Sequence, residues 1–288
     1  MPVFRSGLPR IVSLMIIALS PLAALADDCL LDRGPERTVA RVIDVETVLL
    51  DDGSRVRLAG IVAPRARDAG VAEGRWPAEQ AAFKALEEMV VAKPVRLHFD
   101  STRQDRHGQW LAHFRLRSGD DTASVQQALV AAGHARVDAI EGQRGCVTSL
   151  LALEAEAQST SRGLWTEPAY RVRKATPARD IAAFRGTFQI VTGRVARVEV
   201  NRDATRLILG DDRRRDLALA IRSNDRDTAG KLGGDLKRLE GREVEARGWL
   251  IQRSSGAPEI DVSLAGHVRV FDEEGLPVAA GPRRVPRR

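Results

Sequence analysis

From Thr38 the chain alternates apolar and polar positions as a strand does: Val39, Val42 and Ile43 lead into Val48-Leu49-Leu50. Asp51-Asp52-Gly53-Ser54 has the composition of a hairpin turn, and Arg55-Val56-Arg57-Leu58 resumes the alternation. A loop then runs to Trp76-Pro77. Proline suits the first position of a helix, where its missing N–H would have no partner in any case. Ala82, Phe83, Leu86, Met89 and Val90 share one face at helical spacing, which predicts a helix from Ala78 to Val91. Val95 to Phe99 and Trp110 to Leu116 read as strands, the second across a turn at His107-Gly108. Two more helices are predicted, from Ala123 to Ala132 before Gly133 and from about Cys146 to Arg162 before Gly163. Strands first and helices after describe an α+β domain built on a small barrel.

Residues 167–183 carry two prolines and no sustained period, and read as a linker. Beyond it, over residues 184–272, the pattern is mainly β. Strands are expected at Phe188 to Val200, Arg206 to Leu209, Leu217 to Ile221, Glu243 to Ile251, Glu259 to Leu264 and Val268 to Phe271. One helical piece is expected around Asp235 to Leu239. That order suggests a second small barrel, a Greek key of the OB type. Asp211 to Asp216 reads as a solvated hairpin turn, and residues 273–288 as a basic disordered tail.

The N-terminus changes the picture of where the protein works. Arg5 and Arg10 precede an apolar stretch from Ile11 to Leu25, and Ala24-Leu25-Ala26 is a small-x-small cleavage site. Residues 1–26 are therefore expected to be a signal peptide cleaved near Ala26, the alternative being a retained anchor, and the mature protein to be periplasmic or secreted. Two cysteines, Cys29 and Cys146, remain in that mature chain. In an oxidising compartment they suggest one disulfide tying the N-terminal tail to the first domain; two separate buried thiols are the alternative. The whole chain has 45 basic and 39 acidic residues, and the leader holds two of the arginines and no acid. The remaining excess permits a polyanionic partner without arguing for one.

Six segments in order carry a resemblance over most of residues 35–166: VIDVETVLL, VRLAGIVAP, WPAEQAAF, DRHGQW, ALVAAGHARV and SRGLW. They resemble the staphylococcal nuclease (thermonuclease) family, which implies a five-stranded OB barrel with three helices. The second domain resembles the C-terminal OB-like domain of some exported bacterial members, through GRVARVEV and GREVEARGWL. The family resemblance implies phosphodiester cleavage with one Ca²⁺ held by two aspartates and a backbone carbonyl, a glutamate that handles the attacking water, and two arginines on the phosphate.

Carried over position by position, that set is mostly replaced. The first metal aspartate falls on Glu46 and the second on Val62; the carbonyl position is Ala63, followed by Pro64. The glutamate becomes Arg65, the first arginine is kept as Arg57, and the second becomes Gln109. One carboxylate is a poor Ca²⁺ site. A guanidinium repels the ion and cannot serve as a base. Gln109 can donate to phosphate but cannot offset developing charge. If the register were shifted, Asp68 or Glu73 would be the nearby acids. The family's tyrosine positions hold His107, Ala139 and Glu141, and the single tyrosine of the chain, Tyr170, lies in the linker. Base stacking there is largely lost as well.

Other candidates are fewer. His98, His107, His113, His134 and His267 show no metal-ligand spacing with each other or with the cysteines. Trp249 shares parity with Glu245 and Arg247, opposite Val244, Ala246 and Leu250. It is either a stacking platform beside an arginine or a seal at the barrel end against the first domain. The reading is an exported protein with a degenerate nuclease site, acting as a non-catalytic binding or structural module. Arg57 and Arg65 are its anion-binding candidates, and Glu46 is an incomplete metal position. No cofactor is expected, with weak Ca²⁺ binding only if the site is active. Partners to consider are single-stranded nucleic acid, another polyanion or an envelope protein. The rivals are an active Ca²⁺-dependent endonuclease and a protein-interaction module.

Overall fold

The computed structural model describes residues 29–69, 76–105, 107–118, 121–138, 145–212, 215–253, 256–272 and 274. The expected leader at 1–26, Glu73, Ala139, Glu141 and all but one residue of the stretch after Asp272 lie outside the described residues.

The first domain opens with β1 (Asp32–Asp44), β2 (Thr47–Leu50) and β3 (Arg55–Leu58). The apolar pattern reads through Thr38 to Leu50 without a break, but the chain turns at Val45-Glu46. The Asp44 carboxylate accepts the Glu46 N–H at 2.8 Å, a side-chain turn that hydrophobic periodicity does not encode. The next turn is at Gly53, whose φ of 81° suits glycine. Then come β4 (Ile61–Val62), a 3-10 turn at Ala66–Ala69, α1 (Pro77–Val90), β5 (Pro94–Phe99) and β6 (Trp110–Ser118). The domain closes with β7 (Asp121–Ser124), α2 (Val125–Ala131), β8 (Arg136–Val137) and α3 (Val147–Ser159). Residues 121–124, partly read as helix, are strand; α2 begins where the Ser124 hydroxyl caps the Gln127 N–H at 3.3 Å.

Strands run in the order β3-β2-β1-β5-β6, and a parallel pairing of β3 with β6 closes them into a five-stranded OB-like barrel. Its interior is filled by Val39, Val48, Val56, Leu58, Val95 and Phe114, with Leu86 of α1 and Leu129 of α2 packed against the same core. Cys29 and Cys146 form a disulfide with Cα atoms 4.4 Å apart, joining the tail to the start of α3 as expected. No helix among the described residues is long and apolar enough to cross a membrane.

Residues 167–183 hold a 3-10 turn at Pro168–Tyr170, β9 (Arg173–Lys174) and α4 (Ala178–Ala182). Tyr170 is buried, and Ala175 and Ile181 belong to the second core. Three apolar residues at irregular spacing suffice to dock the segment and leave no period to read.

The second domain comprises β10 (Phe188–Arg194), β11 (Arg197–Val200), β12 (Ala204–Ile208), β13 (Ala218–Arg222), α5 (Arg226–Lys231), β14 (Glu243–Gln252), β15 (Pro258–Asp261) and β16 (Val268–Val270). The single strand expected at Phe188 to Val200 is two. Val195 N–H bonds to Arg242 O and the next N–H, of Ala196, bonds to Ile208 O, so the chain changes partner at that corner. Accordingly β10 pairs with β14, β11 with β12, β12 with β13, β13 in parallel with β15, and β15 with β14. The helical piece expected around Asp235 to Leu239 is a 3-10 helix, Leu236–Leu239, capped by Asp235, which accepts the Lys237 N–H at 3.1 Å. The α5 helix, RDTAGK, was not legible because Thr228 is its one buried residue; Asp225 caps it by accepting the Thr228 N–H.

Candidate functional site

Glu46 lies in the turn between β1 and β2, and Arg57 lies across from Thr47 in the β2–β3 ladder. Backbone N–H of Leu58 donates to Glu46 O at 2.7 Å, which pins the residue to the strand carrying Arg57. The Glu46 side chain is 2% exposed, whereas those of Arg57 and Arg65 are 29% and 28% exposed. Arg57 donates to Glu46 Oε2 through Nε at 3.0 Å and Nη2 at 2.7 Å. Arg65 Nη2 donates to Oε1 at 2.8 Å, and the Ala63 N–H donates to the same atom at 2.9 Å. A carboxylate has about four lone-pair positions, and all are taken.

The turn carrying Arg65 is held from several sides. Its N–H reaches Asp68 Oδ2 at 3.2 Å and Tyr170 Oη at 3.1 Å. Tyr170 Oη also accepts from Trp76 Nε1 at 2.9 Å, and Glu79 accepts the Ala66 N–H at 3.1 Å. Burial works against the Arg65 charge, but the Glu46 carboxylate, helped by Asp68 and Asp44, outweighs it and holds the guanidinium above its ordinary pKa. Burial pushes the Asp68 carboxyl up, with Arg136 pulling against it. Asp68 is thus a capping and pairing residue of this turn.

The second domain covers one edge of the site. Val62, where the resemblance would place a metal aspartate, is buried against Phe188 and Ile190 of β10. Arg136, fully buried, donates through Nη1 to Phe188 O at 2.8 Å, lies over the Tyr170 and Phe188 rings, and has Asp68 at 3.6 Å. Trp249 Nε1 donates to Asp138 Oδ2 at 2.8 Å, and the guanidiniums of Arg65 and Arg67 lie 5.7 and 5.8 Å from the Trp249 ring centre. Phe188 meets that ring edge-on. Trp249 does face out of its own barrel, and what it faces is the first domain. Arg247 of β14 forms a buried ion pair with Glu154 of α3, whose other oxygen accepts the Val137 N–H at 2.7 Å.

Besides Asp44, Asp138 is a carboxylate close enough to feel the charge of Glu46, and no motif pointed to it. Burial raises its pKa from 3.8 to about 6; the Trp249 donor, Arg57 and Arg136 oppose the rise and Glu46 adds to it. Arg136, Glu154 and Arg247 were missed for the same reason, since their meaning lies in partners distant along the chain. Gln109 begins near β6 with its N–H on Asp105 Oδ1 at 3.0 Å and does not join the Glu46 cluster. His107 is exposed; His98 and His113 are register partners across β5 and β6; His134 and His267 lie elsewhere.

Ca²⁺ takes six to eight oxygens, several of them from carboxylates. Here the one carboxylate, Glu46, is saturated by two guanidiniums and a backbone N–H, and Val62 supplies no oxygen. The donor set does not fit the ion. Among the described residues no cluster of three or more His, Cys, Asp or Glu is arranged to hold a metal.

Comparison with curated proteins gave no match to the chain. The family model described as "Staphylococcal nuclease homologue" matches residues 55–167, beginning at β3, so that β1, β2 and Glu46 precede the matched span. Residues 55–167 thus make up a staphylococcal nuclease homologue domain.

Proposed function

We propose that this nuclease-like domain does not cleave phosphodiesters and instead binds an anion, a phosphate group of single-stranded nucleic acid or of another polyanion, through Arg57 and Arg65. The observation that carries the proposal is the saturation of Glu46. A carboxylate whose lone pairs are filled by two guanidiniums and a backbone N–H has nothing to offer a divalent cation or an attacking water. Two arginines against one carboxylate leave a net positive pair, and Arg57 uses Nε and Nη2 on Glu46, which leaves Nη1 for a further acceptor. No cofactor belongs to this reading.

The second domain is proposed to be an OB-type barrel with β10 and β11 as halves of one bent strand, docked so that Trp249 seals the edge of the arginine site. The protein is further proposed to act outside the cytoplasm after removal of residues 1–26; the disulfide fits an oxidising compartment.

The test uses chain 27–288 with a fluorescent single-stranded DNA or RNA. Binding that survives chelator and weakens in Arg57→Ala and Arg65→Ala is expected, with no Ca²⁺-dependent cleavage above a mock preparation. Cleavage abolished by chelator and by Arg57→Ala would establish the active phosphodiesterase instead.

A further inference from the structure

A cavity of about 670 Å³ lies away from the arginine site, between α3 of the first domain and the second barrel. Its apolar wall is formed by Val147, Leu151, Leu232, Leu264, Val268 and Val270. Its cationic residues are Lys231, Arg238, Arg242, Arg247 and Arg269, against Asp227 and Glu245 as the acids. A second cavity of about 610 Å³ adjoins it, lined by Arg194, Glu240 and Phe271 among others, and the two share Arg238 and Arg242. Those two arginines therefore line both cavities. Several cations are already committed: Lys231 to Asp227 at 3.1 Å, Arg247 to Glu154, and Arg269 to Glu245 at 3.6 Å, while Arg238 has the exposed Asp235, outside the cavity lining, at 3.6 Å. Arg242 differs. Its backbone bonds to Val195 and Leu239, and its guanidinium has no carboxylate partner among the described residues.

We propose that this cavity binds a single-chain amphipathic anion, with an alkyl tail along the apolar wall and a carboxylate or phosphate head at Arg238 and Arg242. The volume falls in the range of small-ligand sites, and an apolar wall with a few convergent polar groups is their usual make-up. A nucleotide suits it poorly. None of the residues lining the larger cavity is Phe, Trp or Tyr, and its one imidazole, His267, is buried, so a base would find little ring surface to stack on. Gly266 lies close to α3, where a Cβ would stand 3.1 Å from Val147 and 3.6 Å from Leu151, so both domains contribute wall and the ligand would bridge them.

Laurate, dodecyl phosphate, dodecanol and dodecyltrimethylammonium, each below its micelle concentration, are titrated into chain 27–288 by calorimetry. Saturable one-to-one binding is expected for both anions, with the alcohol and the cation at least tenfold weaker, and the tighter anion tells carboxylate from phosphate heads. Arg242→Ala is expected to lower anion affinity about tenfold. Thr148→Trp, at an exposed lining position, fills the mouth of the α3 wall and is expected to abolish binding while the melting temperature stays at the parent value. Absence of saturable anion binding overturns the proposal. So does equal binding of the cation, or binding unchanged in both variants.

Discussion

Trp249 of the second barrel donates a 2.8 Å hydrogen bond to Asp138 at the end of β8, across the junction of the two domains. The acceptor is a buried carboxyl whose pKa is raised from 3.8 to about 6, mainly by loss of solvent. Below pH 4 it is protonated folded or unfolded. Between about pH 4 and 6 the unfolded chain releases the proton while the folded chain keeps it, so stability falls as pH rises and stays reduced above pH 6. The rise from 3.8 to about 6 corresponds to roughly 3 kcal/mol. Asn in place of Asp keeps an acceptor for Trp249 and removes the charge. Asp138→Asn is therefore expected to melt several degrees higher than the parent at pH 7.5 and to match it near pH 4. Asp68 and His134 titrate in both proteins, so the difference isolates Asp138. Parallel melting curves for the two proteins across pH 4–8 would contradict the assignment.

Much of the first domain is written in its sequence because local rules determine it. Period-two alternation marks β3, β5 and β6, and Pro77 and Gly133 punctuate α1 and α2 at their observed ends, whereas α3 stops at Ser159, short of the expected Arg162. Arg57 and Arg65, placed beside Glu46 by the family resemblance, do converge on it, while Val62 of the same ungapped frame packs on Phe188 and Ile190 instead. What stayed hidden depends on contacts that spacing cannot express. The break at Val45-Glu46 rests on one Asp44 hydrogen bond, and the break at Val195-Ala196 on a change of ladder partner. The parity of Trp249 correctly pointed it out of its barrel. Only the docking of two domains shows that this outer face is covered, and only that docking gives Asp138, Arg136 and Glu154 their partners.

The Arg247–Glu154 pair couples the domains. It is buried at both ends, so removing Arg247 leaves Glu154 desolvated without its ion-pair partner, at a cost on the order of 3–5 kcal/mol, whereas removing Glu154 leaves Arg247 with Glu245 at 3.7 Å and costs less. Glu154→Gln retains an acceptor for the Val137 N–H and tests the charge alone. Arg247→Met retains the packing. Each single variant is expected to lose several degrees in Tm, and the double variant less than the sum of the two. Additive losses would show that the pair is not coupled.

Val62→Asp restores one residue of the resemblance's metal set and is expected to restore nothing else. The position is 1% exposed and packed on Phe188 and Ile190, so a carboxylate there is desolvated at a cost on the order of 2–3 kcal/mol. Arg65 still occupies Glu46, and Gln109 remains apart from it. The variant should melt lower than the parent and show no Ca²⁺-dependent cleavage of single-stranded DNA. Measurable chelator-sensitive cleavage would mean that the missing aspartate alone had silenced the site.

Glu46→Gln separates an anion site from a purely structural bridge. The carboxylate is the counter-charge of both Arg57 and Arg65, and a carboxamide of the same shape offers one acceptor oxygen and turns an NH₂ toward a guanidinium. Folding should weaken by about 2 kcal/mol, as expected when a charge-assisted hydrogen bond is lost. The same change leaves two adjacent, partly exposed guanidiniums without their anion, so sulfate or a nucleotide bisphosphate gains what Glu46 gave up. At thirty times its Kd such an anion returns about 2 kcal/mol. The sulfate-dependent rise in Tm is therefore expected to be larger in Glu46→Gln than in the parent. Sulfate also stabilises folded proteins by exclusion from their surfaces, an effect common to every variant. Adding Arg57→Ala to Glu46→Gln should cancel the extra rise and leave that common part. If Glu46→Gln and the double variant respond to sulfate as the parent does, Arg57 and Arg65 serve only to hold the Ala59–Ala69 turn against the barrel.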